Sequence, residues 1–338
     1  MRAVVLQKPG DLAPARLAKP GRPAPDTALV RVRRIGVCGT DFHAYHGRQP
    51  FFSYPRILGH ELAVEIAEIG ANEAGLRAGD LCAVEPYLNC QGCIACRSGK
   101  PNCCVDLSVL GVHEDGGMRE YLHVPARKLH PSSQLALDQL ALVETLAIGA
   151  HAVSRAKVEA GEWAMVIGAG PIGLSVTQFA RLAGARVIVS DVSEERLARC
   201  REHTGVGHAV KAEDAPGVVR ELTEGGMPTV VFDATGNAGS MMSAFKLAAH
   251  GGRLVFVGLF QGDVTFSDPD LHKRELTLLA SRNSLAQDFR RIIALAESGE
   301  VDTRRWVTHR AGLDAVPSEF PAWTRPASGV LKAMIELE

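Results

Sequence analysis

The feature that most narrows the folds open to this chain is Gly168-Ala169-Gly170-Pro171-Ile172-Gly173. This GxGxxG run sits between an apolar stretch, WAMVI, and an amphipathic one, LSVTQFARLAG. Such a run alone is weak evidence, but between a strand and a helix it has mechanical content. Gly168 permits the tight turn, Gly170 lets the backbone approach a pyrophosphate, and Gly173 lets helix and strand pack closely. The helix opens with Pro171 and Ile172, and its first N–H groups face the phosphates. The next apolar run, ARVIVSD, ends at Asp191, about 20 residues on, where an acid accepts hydrogen bonds from ribose hydroxyls. A carboxylate there repels the extra phosphate of NADP, so NAD is expected over NADP. Val192 follows it, and Arg196 is a complication. An arginine near this position can accommodate that phosphate, although a solvated helix residue is the plainer reading.

The same alternation repeats downstream: SEERLARCREH follows the Asp191 strand, TVVFDATG precedes NAGSMMSAFKLAAHG, and RLVFVGL comes next. Apolar strands alternating with amphipathic helices indicate an α/β fold with a doubly wound parallel sheet. Upstream, short β-rich runs alternate with Gly/Pro turns (AVVLQ, ALVRVRRIGV, LAVEIAEIG, CAVEP, EYLHVP) and predict a mostly-β domain. A chain of 338 residues also exceeds what one core usually serves. The tail carries a helical pattern, AQDFRRIIALAESG, and a closing strand, SGVLKAMIEL. The run RLVFVGLFQGDVTF reads either as an edge strand serving subunit contact or as an internal strand and turn.

Composition removes several function classes. The net charge is −1 with no basic block, so a nucleic-acid partner has no electrostatic support. No apolar run approaches the roughly 20 residues that span a bilayer, and MRAVVLQKPG lacks the apolar core of a signal peptide. The expectation is a cytoplasmic protein with no membrane partner.

Of eight cysteines, five fall between Cys90 and Cys104. Cys90-x2-Cys93-x2-Cys96-x7-Cys104 has the spacing of four thiolates around a tetrahedral zinc with no open position, a structural site. An iron–sulfur cluster or disulfides compete, but no electron-transfer or secretory context accompanies them. Gly92 and Gly99 help a short loop close, and Cys103 beside Cys104 leaves the fourth ligand open on spacing alone. Two other segments carry ligand-type residues, Cys38-Gly39-Thr40-Asp41-Phe42-His43 and Gly59-His60-Glu61, and Glu144 stands in LVETLAIGAHA. A thiolate, an imidazole and a carboxylate from Cys38, His60 and Glu144 suit a catalytic zinc with an open position. Singly, each has a bland reading as a core thiol, a hydrogen-bonded histidine and a solvated helix acid.

Together, CGTDFH, GHE, the four-cysteine lobe and GAGPIG, in this order, resemble the zinc-containing medium-chain dehydrogenase/reductase family over nearly the whole chain. The resemblance implies a GroES-like catalytic domain over residues 1–146 and 284–338, with a zinc lobe at about 88–106, and a Rossmann NAD-binding domain over residues 147–283. It places the active site in the cleft between them. It implies two zinc ions per chain, a catalytic one on Cys38, His60 and Glu144 and a structural one on Cys90, Cys93, Cys96 and Cys104. Glu61 enters the catalytic shell transiently, and Asp41 hydrogen-bonds the far nitrogen of His60 and fixes its tautomer. Thr40 touches the substrate oxygen and His43 passes its proton toward solvent. Zinc acidifies the alcohol so that hydride passes to NAD.

An acid at position 144 resembles the polyol branch. Thr145 departs from the proline common there, which leaves Glu144 an alternative role as an acid outside the zinc shell or facing the substrate. Val257-Gly258 and Ser281-Arg282-Asn283 frame the nicotinamide or simply end strands. Tyr45, His46, Arg48, Phe51, His113 and Glu114 are candidate substrate contacts. Their polarity suits a polyol, sugar or sugar acid of the galactonate or gulonate kind, and Arg48 can grip a carboxylate by its fork or lie at the surface. L-Threonine 3-dehydrogenase-like activity is the alternative, and a non-catalytic NAD-binding protein is the reading from another class. Family members form homodimers or homotetramers.

Overall fold

The computed structural model describes residues 1–338, the side chain of Pro326 excepted. The chain divides into two compact units, residues 1–144 with 285–338, and residues 145–284.

The second unit is built on six parallel strands in the spatial order His208–Lys211, Arg186–Asp191, Trp163–Ile167, Val230–Asp233, Arg253–Phe256 and Thr277–Ala280. The first strand in sequence, Trp163–Ile167, lies third, so the order reverses beside it. In open α/β sheets a ligand crevice forms at that reversal. The strand leads into Gly168, whose φ of +100° is available to glycine without strain. The helix Pro171–Leu182 follows, with Gly170 as its N-cap residue. Gly173 is forced by packing, because a Cβ there would lie 1.7 Å from the Gly168 carbonyl oxygen. Met165, Ile188, Val231 and Leu254 project from four adjacent strands into one cluster with Val219, Ala244 and Phe245 from the covering helices and turn. The run beginning at Arg253 therefore opens with an internal strand, and the sheet edge on that side is Thr277–Ala280. Hydrophobicity marked the strand but did not rank its place in the sheet.

The first unit holds a seven-stranded sheet whose centre is the long strand Thr27–Val37. Glu61–Ile69 runs antiparallel beside it, and Lys332–Glu336, from the far end of the chain, runs antiparallel on its other side. The register places Gly36 opposite Glu61 and Val37 opposite Ala333. Chain ends some 270 residues apart thus meet across one strand, as Lys332 and Glu61 show by their pairing. One apolar cluster, including Val32, Ile35, Leu58, Leu62, Val64, Met118, Phe320 and Ile335, fills this unit. The cysteine lobe is a short excursion with one turn of helix, Ile94–Arg97, and a 3-10 turn, Pro101–Cys103. Its positive φ angles fall at Gln91 (+62°) and Gly99 (+73°) rather than at Gly92.

Replacing Gly173 by Ala is expected to destabilise the second unit by about 1–3 kcal/mol, the usual range for overpacking, and to weaken NADH binding. Thermal unfolding and NADH fluorescence titration check this. An unchanged Tm with unchanged binding would refute the forced contact.

Candidate active site

The helix Gly39–Tyr45 starts at Cys38, whose backbone N–H donates to Asp41 Oδ2 at 2.9 Å. This local bond ties the thiol to the first helical turn. His60 arrives from a turn held by close glycine contacts. Gly59 has φ +96°, and a Cβ on Gly116 would meet the Gly59 carbonyl oxygen at 2.3 Å. One ligand-type atom each from Cys38, His60 and Glu61 then lies within 4.8 Å of the others. Histidine and acid are buried.

Glu61 is held by Lys332, whose Nζ donates to Oε1 at 2.6 Å and Oε2 at 2.7 Å, and to the Val37 carbonyl at 3.3 Å. Both side chains are almost fully buried, at 2% and 1% exposure. The acid lies over Gly36, where any Cβ would fall 2.1 Å from Oε2. Glu144, in the first turn of the helix Val143–Ala156, is also buried, and burial pushes its carboxyl up. Its Oε1 accepts the Tyr87 hydroxyl. The compact donor group thus closes with Glu61, and Glu144 stands in electrostatic reach of both His60 and Glu61.

Asp41 is fully buried and its Oδ1 faces His60 Nδ1 at 3.8 Å, longer than a hydrogen bond; neither atom has another hydrogen-bond partner. Against the lowering effect of burial, the Asp41 carboxylate and the Cys38 thiol hold the His60 imidazole well above its ordinary value. A metal cation fits this setting. It takes a thiolate, an imidazole and a carboxylate together, and it gives a histidine nitrogen reason to face an acid.

Thr40 and His43 occupy the same short helix. The His43 imidazole is pushed below its ordinary value by burial, then by Arg48 and His46. Tyr45 packs on Phe320, ring centres 5.3 Å apart, and belongs partly to the core. Arg48 and Phe51 are exposed. His113 Nδ1 accepts the Val109 N–H at 3.1 Å, and Glu114 accepts the Ser108 hydroxyl at 2.6 Å, so both brace their own loop. Phe51 stands 6.3 Å from the His113 ring.

In the lobe, Cys90, Cys93, Cys96 and Cys104 converge within 4.8 Å. The Cys93 sulfur is 3.5 Å from that of Cys96 and 3.9 Å from that of Cys104. These bracket the edge of about 3.8 Å in a tetrahedron with metal–sulfur bonds of about 2.3 Å. The backbone N–H groups of Cys96 and Val105 hold the Cys93 thiol down to about 6. Cys103 is exposed and outside this group, whereas Cys104 is buried within it. The donor set fits zinc.

In the second unit, a Cβ on Gly170 would meet nothing within 4 Å, which leaves the approach open that a pyrophosphate requires. Asp191 is buried and accepts the N–H of Ala169 at 2.7 Å and of Ser193 at 2.8 Å, so the acid also ties down the glycine turn. Val192 is 79% exposed beside it. Arg196 Nη1 lies 4.0 Å from Asp191 Oδ2, with its side chain 55% exposed. The N–H groups of Val257 and Gly258 both donate to the Asp233 carbonyl at 2.9 Å. Beyond the sheet edge, at Ser281-Arg282-Asn283-Ser284, Ser281 Oγ, Asn283 Nδ2 and Ser284 Oγ are buried without a hydrogen-bond partner, and Asn283 has φ +53°. A dinucleotide, which brings its own polar atoms, fits such a segment.

Sequence reasoning missed Lys332 and Tyr87. Lys332 had a signal, a lone cation inside the apolar strand VLKAMI. Tyr87, in a turn-rich EPYLNC, had none.

Known proteins are similar to this chain in sequence and fold. The alcohol dehydrogenase GroES-like domain family matches residues 24–134, and the zinc-binding dehydrogenase family matches residues 171–298. L-Galactonate-5-dehydrogenase of Escherichia coli K12 is 43% identical over 315 residues, covering 92% of this chain and 91% of that protein. Among solved structures, the short chain alcohol dehydrogenase RspB of E. coli CFT073, complexed with NADH, superposes with a TM-score of 0.91 at 28% identity, covering 100% of this chain and 99% of that one. A protein of Sinorhizobium meliloti 1021 described as a zinc-binding dehydrogenase and bound to NADP gives 0.90 at 31%, covering 99% of each. With both domains matched and the donor residues gathered, the chain belongs to the zinc-type medium-chain dehydrogenase family and is an oxidoreductase acting on CH–OH donors.

Proposed function

We propose that this enzyme oxidises a secondary alcohol of a sugar acid, or of a related polyol or sugar, with NAD as hydride acceptor. The observation that carries the substrate class is the 43% identity, across almost the whole length of both chains, to an enzyme named for L-galactonate. Arg48 and His46, exposed beside His43, supply cationic groups for a carboxylate. L-Threonine remains the alternative to test.

In this reading, Cys38, His60 and a carboxylate from Glu144 hold a catalytic zinc, with Glu61 at its flank. Lys332 engages both oxygens of Glu61, and Tyr87 engages Oε1 of Glu144. Zinc, when bound, lowers the pKa of an alcohol oxygen toward neutrality. Thr40 takes up the alcohol proton through its hydroxyl, and His43 carries it on. With its pKa lowered, His43 is neutral near pH 7 and ready to accept that proton. Asp41 keeps the His60 ring oriented. A second zinc on Cys90, Cys93, Cys96 and Cys104 has no open position and braces the lobe.

Gly168 to Gly173 receive the pyrophosphate, Asp191 the ribose, and Val257-Gly258 with Ser281-Arg282-Asn283 the nicotinamide. The buried acid favours NAD over NADP, with Arg196 able to temper the preference. Among the described residues no helix is long and apolar enough to cross a membrane. Thiolate zinc sites suit the reducing cytoplasm, where we place the enzyme. The edge strand Thr277–Ala280, with Leu278 40% exposed, suits subunit contact in a homodimer or homotetramer.

Purified enzyme is expected to reduce NAD with L-galactonate or L-gulonate, with kcat/KM for NAD at least about tenfold above that for NADP, a preference of about 1.4 kcal/mol. A spectrophotometric panel of sugar acids, polyols and L-threonine reads this, and turnover of threonine alone rejects the substrate class. Thr40→Val should lower kcat by about 10²-fold or more if the hydroxyl relays the proton; unchanged kcat removes it from the path. Cys104→Ser should release about half of the bound zinc, one of the two sites, whereas Cys103→Ser should release none. Elemental analysis distinguishes the two, and the reverse pattern would reassign the fourth ligand.

A further inference from the structure

The thiols of the cysteine lobe are not all served in the same way. Cys93 accepts the backbone N–H groups of Cys96 and Val105, and Cys104 accepts those of Cys90, at 3.2 Å, and of Asp106. Cys96 is reached by a side chain, the amide of Asn89, whose Nδ2 lies 3.6 Å from its sulfur. Arg127 grips that amide from the other side. Its Nη1 donates to Asn89 Oδ1 at 3.0 Å and its Nη2 to the Asn89 carbonyl at 3.3 Å. A guanidinium carries donors only, so the amide atom that faces it is the oxygen, and the NH2 end is left toward Cys96. The turn Ala126–Lys128, which carries Arg127, is fixed in its own right. The Ala126 N–H donates to the Asp26 carbonyl at 2.8 Å, the Glu85 N–H donates to the Lys128 carbonyl at 2.8 Å, and the buried Lys128 ammonium pairs with the buried Glu85. Glu85 directly follows the sheet strand Leu81–Val84. A line of contacts therefore runs from the sheet of the first unit through Arg127 and Asn89 to one sulfur of the lobe.

We propose that Asn89 and Arg127 are positioning residues for the lobe metal. Arg127 holds the Asn89 amide with its NH2 toward Cys96, and the N–H···S bond fixes that thiolate among the four, which slows loss of the ion and anchors the lobe to the sheet. A metal-bound thiolate keeps lone pairs and negative charge, and a donor aimed at it stabilises that charge and sets the direction of the sulfur. Backbone N–H groups do this for Cys93 and Cys104 within the lobe itself. The donor to Cys96 depends on an arginine 38 residues away in sequence, so retention of the metal depends on the sheet as well as on the lobe. The proposal rests on the reading of the lobe as a zinc site. It adds two residues outside the cysteine motif that hold one of its corners.

The test is a double-mutant cycle on the full chain in a Cys38→Ser background, which leaves the lobe as the clustered thiolate site. The readouts are zinc transfer to a competing chelating dye and, after exchange with Co(II), the thiolate–cobalt absorption band. Asn89→Leu keeps the approximate volume and removes the amide. It should weaken metal retention about 10–100-fold, the usual effect of losing a group that orients a ligand, and shift the band. Arg127→Met frees the amide to turn and should move both readouts in the same direction. The double variant should lose no more than the larger single loss, because the two residues act as one unit. Asn89→Asp keeps an acceptor for Arg127 but turns an oxygen toward the sulfur. It should release zinc faster than the parent, and it decides the question if Asn89→Leu does not fold. Parental release and spectrum in an Asn89 variant, additive losses in the double variant, or a lowered Tm with both readouts unchanged overturns the proposal. Failure of the zinc reading itself looks different. It shows as folded parent protein that carries no zinc and takes up no Co(II).

Discussion

The first unit of this protein is tied together by one buried ion pair, Lys332 with Glu61. It joins the last strand of the chain to the strand that His60 immediately precedes, across a central strand that contributes Gly36 and a carbonyl at that level. Each charge would be prohibitive alone at such burial; together, with the carbonyl as a further acceptor, they are matched. Losing one partner of a buried pair typically costs about 3–5 kcal/mol, because the other is left uncompensated. The pair therefore fixes register among three strands and sets the charge of the site in one contact.

Around that pair the backbone leaves little room. Gly36 lies under Glu61, Gly59 precedes His60 in a left-handed conformation, and Gly116 presses on the Gly59 carbonyl. These contacts let the loop carrying Gly116 pass so close to the Gly59 carbonyl, next to His60, that any side chain at Gly116 would clash with it. Asp41 then faces the histidine from the helix that begins at Cys38. The donor cluster is thus assembled by backbone proximity first and by side-chain hydrogen bonds second, which is the preorganisation that binding and electrostatic catalysis need.

The second unit solves a similar problem with fewer parts. Its buried Asp191 reaches back to the N–H of Ala169, so the acid that suits the ribose also pins the turn that suits the pyrophosphate. One carboxylate thereby couples the ends of two adjacent strands and fixes the glycine turn between them.

Read alone, the sequence carries the two structural styles, the glycine turn with Asp191, the four-thiol lobe, and the cysteine, histidine and acids that the structure gathers or buries near one another. These are local patterns, in which a period, a spacing or a neighbouring pair carries the physics. It left Cys103 against Cys104 open on spacing, and the structure separates them by burial and by the convergence of sulfurs. Long-range packing, invisible in local pattern, makes Arg253–Phe256 internal, leans Tyr45 on Phe320, and turns His113 and Glu114 onto their own loop. Only it revealed Lys332 and Tyr87, because their meaning lies in partners 271 and 57 residues away. The polarity of a lysine in a strand, or of a tyrosine in a turn, says nothing of the acid it meets until the chain has closed around both.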